Sequence, residues 1–300
     1  MKTYDLVIIG SGPGGYVAAI RAAQLGKNVL LVEKESLGGV CLNWGCIPTK
    51  ALLRSAEVLD LFHHSEELGI TVDNIQVDFS KVMGRSRRVA EQLSKGVQHL
   101  LKKHKITVQK GYARFVDSKT LEIQGESGKE SVTASYIIIA TGASPRALSE
   151  VSFDIPHVWS SKDALLAKQA PKRLLIIGSG AIGIEFASFY RSMGSSVTVL
   201  EIQKRILPQE DQEIAALATK AFAKSGITIH TSSTIVSLKH SNEELDVTLD
   251  LQGKQETLSF DAMIVAIGVV PNSQNLGLEK TKIKTEKDQI VVDAWGETNE

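Results

Sequence analysis

Short apolar runs, each broken by a glycine-rich turn and followed by helical spacing, recur along the chain. Residues 4–9, Tyr-Asp-Leu-Val-Ile-Ile, form one such run, ended by Gly10-Ser11-Gly12-Pro13-Gly14-Gly15. Val17, Ala18, Ile20, Ala22 and Leu25 then fall at helical spacing, and Gly26 suits the residue that closes a helix. Val29-Leu30-Leu31-Val32 reads as a second buried strand with Glu33 at its end. The pattern predicts a βαβ unit.

The unit recurs 168 residues later: Gly10, Gly12, Gly15, Gly26 and Glu33 correspond to Gly178, Gly180, Gly183, Gly194 and Glu201. Leu174–Ile177 precedes the second turn, Ile184, Phe186, Ala187, Phe189 and Tyr190 follow it at helical spacing, and Val197–Leu200 is the next strand. Another echo, offset by 126, pairs Ile137–Pro145 with Met263–Pro271; each is a buried strand ended by glycine and proline. These predict the crossings between a first domain at 1–147 and a second at 148–270, with a return segment at 271–300. Residues 80–105 read as one helix with Val82, Val89, Leu93, Val97, Leu100 and Leu101 on its apolar face. Its basic residues fit a solvated face better than a polyanion site. Residues 106–137 and 226–261 alternate like strands, with turn signals at Gly111 and Gly125–Gly128, and predict a small antiparallel sheet in each domain.

A single Gly-x-Gly-x-x-Gly also serves plain packing. Here two copies each lie between strand and helix, each with an acid 18 residues past the third glycine. In that context glycines let helix N-terminal N–H groups approach a pyrophosphate, and the acid accepts from a ribose hydroxyl. The fold class expected is α/β: two tandem Rossmann-like domains, three-layer β/β/α.

Composition narrows the classes further. Lys and Arg total 34, as do Asp and Glu, so bulk charge points to no nucleic acid or membrane surface. The 300 residues show no signal-peptide pattern and no apolar run of spanning length, and a cytoplasmic location is the default expectation. Two cysteines are too few for a disulfide framework or a structural zinc site, and no metal is expected.

Both cysteines lie in Gly38-Gly39-Val40-Cys41-Leu42-Asn43-Trp44-Gly45-Cys46-Ile47-Pro48-Thr49-Lys50. Five residues apart on a regular helix, two Cα atoms are separated by roughly 8–9 Å, beyond the roughly 4.4–6.8 Å of a disulfide. They join only if the backbone bends, and Gly45 permits a bend. A helix beginning near Pro48 would favour negative charge on Cys46. On these residues alone a redox-active dithiol and a pair of inert buried thiols stand as equal alternatives.

Two dinucleotide folds with this Cys-x4-Cys motif inside the first resemble the flavoprotein disulfide reductases. Within them the stretch is most similar to the dihydrolipoamide dehydrogenases, whose motif commonly runs Cys-Leu-Asn-x-Gly-Cys-Ile-Pro-[Ser/Thr]-Lys. The resemblance covers the whole chain and is less specific for substrate, since glutathione and mercuric reductases share most of the motif. It implies that Gly10, Gly12, Gly15, Glu33, Lys34, Thr141 and Gly142 serve FAD. Gly178, Gly180, Gly183, Glu201 and Gly268 would serve the nicotinamide dinucleotide. Cys41 becomes the thiol that meets substrate and Cys46 the thiol beside the flavin. On the same resemblance Lys50 would reach the flavin and pair with Glu185. An acid at Glu201 repels a 2′-phosphate and selects NAD over NADP. The activity implied is oxidation of dihydrolipoamide, carried on lipoyl domains of 2-oxo acid dehydrogenase complexes, with electrons passing through the dithiol and FAD to NAD⁺.

The resemblance also implies chain beyond Glu300: a Gly-Asp segment for the flavin and a dimerisation domain with a His-Glu base, in a homodimer. His63, His64, His99, His104, His157, His230 and His240 stand in no such context and are expected to be surface or packing residues. A relative reducing glutathione or mercuric ion, or a dinucleotide-binding module without lipoamide turnover, is the alternative expectation.

Overall fold

The computed structural model describes residues 1–126, 128–149, 151–241 and 244–300. Ser127, within the turn expected at Gly125–Gly128, lies outside the described residues. So do Glu150, Asn242 and Glu243, within the expected second domain. The chain begins β1 (Lys2–Ile9), α1 (Pro13–Gln24), β2 (Val29–Glu33), α2 (Gly39–Trp44), α3 (Cys46–His63) and α4 (Phe79–Lys103). Strands β3 (Thr107–Lys110), β4 (Tyr112–Phe115), β5 (Thr120–Gly125), β6 (Gly128–Ile139) and β7 (Ala143–Pro145) follow. Next come β8 (Val158–Trp159), α5 (Ser161–Ala164), β9 (Arg173–Ile177), α6 (Ala181–Ser192), β10 (Ser196–Leu200), α7 (Gln212–Lys224) and β11 (Thr228–His230). Strands β12 (Ser233–His240), β13 (Leu245–Leu251), β14 (Lys254–Phe260), β15 (Ala262–Val265) and β16 (Val269–Pro271) complete the main elements.

Two compact units result. The first comprises 1–46, 89–144 and 270–300; the second comprises 47–88 and 145–269. The sequence-based division kept 47–88 with the first domain. In the structure that segment groups with the second, where Leu52, Ala56 and Met83 join a core with Leu174, Phe186, Phe189 and Tyr190.

In the first unit a six-stranded sheet runs β3-β2-β1-β6-β5-β4. Strands β3, β2, β1 and β6 are parallel, and β5 and β4 continue antiparallel. Because strand side chains alternate between faces, Ile8, Val29 and Leu31 pack with Ala19, Leu42, Val97 and Leu101 on the helix side. Val7, Ile9, Leu30 and Val32 pack with Phe115, Leu121, Ile123 and Val132 on the other. The second unit repeats this with a parallel sheet, β11-β10-β9-β15-β8, and an antiparallel one, β12-β13-β14. Leu174 and Ile176 face α6, while Leu175 and Ile177 face Leu245, Val247 and Leu249. Each unit is thus helix, parallel sheet and antiparallel strands in three layers.

Thr107–Lys110 and Thr228–His230 pair parallel to β2 and β10 rather than joining antiparallel strands. Each follows a helical crossover, which returns the chain in its original direction. In the first unit the antiparallel strands are joined to the main sheet through β6, whose first half pairs with β5 and whose second half pairs with β1.

Candidate functional site

A short helix and a long one meet at the cysteines. Helix α2 is flanked by Gly38 as its N-cap, with φ 98°, and by Gly45 as its C-cap, with φ −148° and ψ −115°. Helix α3 starts at once with Cys46. The break brings the Cα atoms of Cys41 and Cys46 to 4.7 Å and the two form a disulfide. The helix starts two residues earlier than the expected Pro48, which sits instead within the first turn, where a missing N–H costs nothing. The positive end of an 18-residue helix therefore lies at Cys46 and favours negative charge on its sulfur.

The loop before α2 is tightly held. Gly38 N–H donates to the Ser11 carbonyl at 3.0 Å. A Cβ on Gly39 would lie 2.5 Å from Gly12 Cα, so the cysteine helix abuts the first glycine turn directly. Asn43, 6 % exposed, donates from Nδ2 to the carbonyls of Leu37 and Gly39, both at 2.9 Å. Ser94 Oγ of α4 donates to the same Leu37 carbonyl at 2.9 Å.

The two glycine turns are built alike. Gly10 and Gly178 have φ of 101° and 95°, and added Cβ atoms would run into the carbonyls of Ala140 and Ala266. Gly15 and Gly183 lie against the carbonyls of Gly10 and Gly178. Gly12 and Gly180 are the N-caps of α1 and α6; neither helix has a side-chain cap or an acidic residue in its first turn. By contrast α5 and α7 are capped by Ser160 and Asp211. A helix N-terminus without a capping side chain suits an anionic group.

The strand-end acids are wired identically. Glu33 Oε2 accepts from Ser11 N at 2.8 Å and Ser11 Oγ at 2.6 Å, and its Oε1 accepts from Glu35 N at 2.8 Å. Glu201, 5 % exposed, accepts from Ser179 N at 2.9 Å, Ser179 Oγ at 2.6 Å and Gln203 N at 2.8 Å. Ser11 and Ser179, which are not among the residues expected from sequence, share the 168-residue offset of the glycines and each hold the acid of their own unit.

The remaining expected residues fall as follows. Lys34 Nζ stands 5.9 Å from the centre of the Tyr112 ring. Thr141 and Gly142 lie between β6 and β7 and are fastened by Asn272, whose N–H donates to Gly142 O and whose Nδ2 donates to Thr141 O, both at 3.0 Å. Gly268, at φ 109°, accepts from Arg146 N at 3.0 Å. Lys50, one turn past Cys46 on α3, forms an ion pair with Glu185 of α6. The pair borders a groove of about 510 Å³ lined by Lys50, Leu53, Arg54, Glu57, Asp60 and Ser188, among others. Among the described residues no group of three or more His, Cys, Asp or Glu is placed to hold a metal ion, and no helix is long and apolar enough to cross a membrane.

A disulfide at a helix start and two matched glycine turns define a tandem Rossmann-type α/β protein of disulfide-oxidoreductase character. The chain belongs to the pyridine nucleotide-disulphide oxidoreductases, whose family profile matches residues 4–300. It is 45 % identical to a dihydrolipoyl dehydrogenase of Rhizobium etli and 47 % identical to one of Zymomonas mobilis, over 99 % of its own length in each case. It spans 66 % and 64 % of those relatives' lengths. Its fold is similar to that of the HOCl-induced flavoprotein disulfide reductase RclA of Escherichia coli in its Cu(II) complex. The TM-score is 0.87 at 30 % identity, covering 100 % of this chain and 64 % of that one.

Proposed function

We propose that the protein carrying this chain oxidises dihydrolipoamide to lipoamide with reduction of NAD⁺, using Cys41 and Cys46 as a redox dithiol with FAD. The observation that carries the reading is the Cys41–Cys46 disulfide at the start of α3, one turn before Lys50 and its partner Glu185. Relatives named dihydrolipoyl dehydrogenase support it.

The first unit's residues fit a flavin dinucleotide. An N-terminus of α1 without a side-chain cap, the close-packed glycine turn and a pre-oriented Glu33 supply N–H donors for a pyrophosphate and an acceptor for a ribose. Gly10, Gly12, Gly15, Glu33, Lys34, Thr141 and Gly142 would hold FAD in the first unit. Gly178, Gly180, Gly183, Glu201 and Gly268 would hold NAD in the second. Bound FAD would take up the electron pair of the dithiol and hand it to NAD⁺ as hydride.

The chain's own residues perform the sulfur chemistry. A substrate thiolate attacks Cys41 Sγ, a mixed disulfide forms, and Cys46 leaves as a thiolate favoured by the α3 N-terminus. The second substrate thiol then closes the lipoamide ring and releases Cys41. Lys50, held by Glu185, keeps a positive charge one turn away from Cys46. NAD is favoured over NADP because Glu201 would meet a 2′-phosphate with like charge. Arg205 is committed within its own loop, donating to the carbonyls of Pro208 at 2.9 Å and Glu210 at 3.0 Å. The reading carries with it a homodimer, lipoyl domains of 2-oxo acid dehydrogenase complexes as substrate carriers, and a cytoplasmic location.

The test is spectrophotometric. FAD-loaded protein should form NADH from dihydrolipoamide and NAD⁺. Cys41→Ser and Cys46→Ser should each lower the rate by about 10³-fold or more, and Cys46→Ser should also remove the long-wavelength thiolate–flavin band. Efficient NADPH-dependent reduction of oxidised glutathione or mercuric ion, without lipoamide turnover, would overturn the assignment.

A further inference from the structure

We propose that Asn43 is a positioning residue that sets the reduction equilibrium of the Cys41–Cys46 disulfide, by keeping α2 wound when the disulfide is open. The inference rests on the redox reading of that pair. Helix α2 has six residues, too few to persist by its own hydrogen bonds. Its N-cap is Gly38, which lends no side-chain bond. In the disulfide form the Cys41–Cys46 link holds the middle of α2 to the first residue of α3. In the dithiol form that link is gone, and the position of Cys41 depends on what else fastens α2.

Asn43 is placed for this. It lies between the two cysteines, is buried, and its amide bonds the Gly39 carbonyl within α2 and the Leu37 carbonyl before it. Ser94 bonds the Leu37 carbonyl from α4, so one carbonyl and one amide add a polar tie to the packing of Leu42 with Val97 and Leu101 of that helix. A dithiol held near its bonding geometry re-forms a disulfide with little loss of chain entropy. Loosening α2 raises the entropy of the dithiol form more than that of the covalently restrained disulfide form. Loss of the Asn43 amide therefore shifts the equilibrium toward dithiol.

The reaction to measure is exchange with dithiothreitol. Two electrons and two protons pass from the dithiothreitol dithiol to the protein disulfide, leaving the cyclic dithiothreitol disulfide and two protein thiols. Neither FAD nor lipoamide enters, so the result does not depend on turnover. Wild type, Asn43→Ala and Ser94→Ala are equilibrated over a range of reduced to oxidised dithiothreitol, quenched in acid and counted by thiol alkylation. Thermal melting of each oxidised form is measured in parallel. Asn43→Ala should shift the exchange constant about 10-fold toward dithiol, equivalent to about 30 mV for a two-electron couple. Ser94→Ala, which removes one of the two side-chain donors to Leu37 O found among the described residues, should shift it about 2- to 3-fold in the same direction.

A purely structural role for Asn43 would lower the melting temperature and leave the exchange constant within twofold of wild type; that result overturns the proposal. If Asn43→Ala does not fold, Ser94→Ala decides, and an unshifted constant there overturns it equally. A wild-type disulfide that dithiothreitol fails to reduce in the folded protein would overturn the redox reading and this inference together, whereas equal constants overturn the inference alone.

Discussion

Gly39 is constrained twice, by its own backbone and by a neighbour. Its φ of 65° lies in the left-handed region, and its Cα faces Gly12 so closely that a Cβ would stand 2.5 Å from Gly12 Cα. Only backbone is there to yield. Gly39→Ala is expected to destabilise the first unit by about 1–3 kcal/mol and to lower its melting temperature. Gly26→Ala, also at positive φ but with open space around its Cβ, should cost less. The need for glycine at Gly10, Gly12 and Gly15 was legible from their spacing; the reason for Gly39 was not, because the atom that excludes a side chain there is 27 residues away in sequence. Asn43 was equally hidden. Inside the cysteine motif an asparagine reads as one more polar residue until its amide is seen on two carbonyls.

Helix α4 shows which features an element declares in its own sequence. A helix over 80–105 was expected and one over Phe79–Lys103 is present, but its buried positions are Met83, Ser86, Ala90, Val97 and Leu101. Leu93 and Leu100, expected on the core face, are exposed because they fall at the edge of that stripe. The start of α4 is local chemistry. Asp78 Oδ1 accepts from Ser80 Oγ at 2.6 Å and Lys81 N at 3.1 Å. The Ser80 hydroxyl, followed by the Lys81 N–H, pulls its pKa from 3.8 down to about 2. A depressed carboxylate contributes stability above its ordinary pKa and loses it as pH falls through the folded value. Asp78→Ala should therefore melt lower than wild type at neutral pH, with the gap closing as pH is taken down towards about 2. A gap unchanged by acid would show that the carboxylate charge is irrelevant to the helix start.

Across the whole molecule the duplication extends below the level of motifs. Serine hydroxyl, serine N–H and the N–H two residues past the acid bind Glu33 and Glu201 in the same arrangement. Each unit should accordingly serve its own dinucleotide. Glu33→Gln is expected to weaken FAD retention about 10-fold, in line with loss of a charged hydrogen-bond acceptor, and to spare NADH affinity. Glu201→Gln should keep FAD, weaken NADH about 10-fold and narrow the preference for NADH over NADPH. Fluorescence titration of each variant checks both. Crossed effects would mean that the two turns do not act independently.

Two βαβ units and the Cys-x4-Cys motif were determined by the sequence alone, because glycine, buried-strand and strand-end positions are local and repeat at fixed spacing. Tertiary structure decided what depends on distant atoms. It grouped residues 47–88 with the second unit, since Leu52, Ala56 and Met83 bury against Phe186, Phe189 and Tyr190. It ran β3 and β11 parallel after their helical crossovers. It closed the disulfide, because the break at Gly45 brings two Cα atoms to 4.7 Å, a distance that no regular helix allows at that separation.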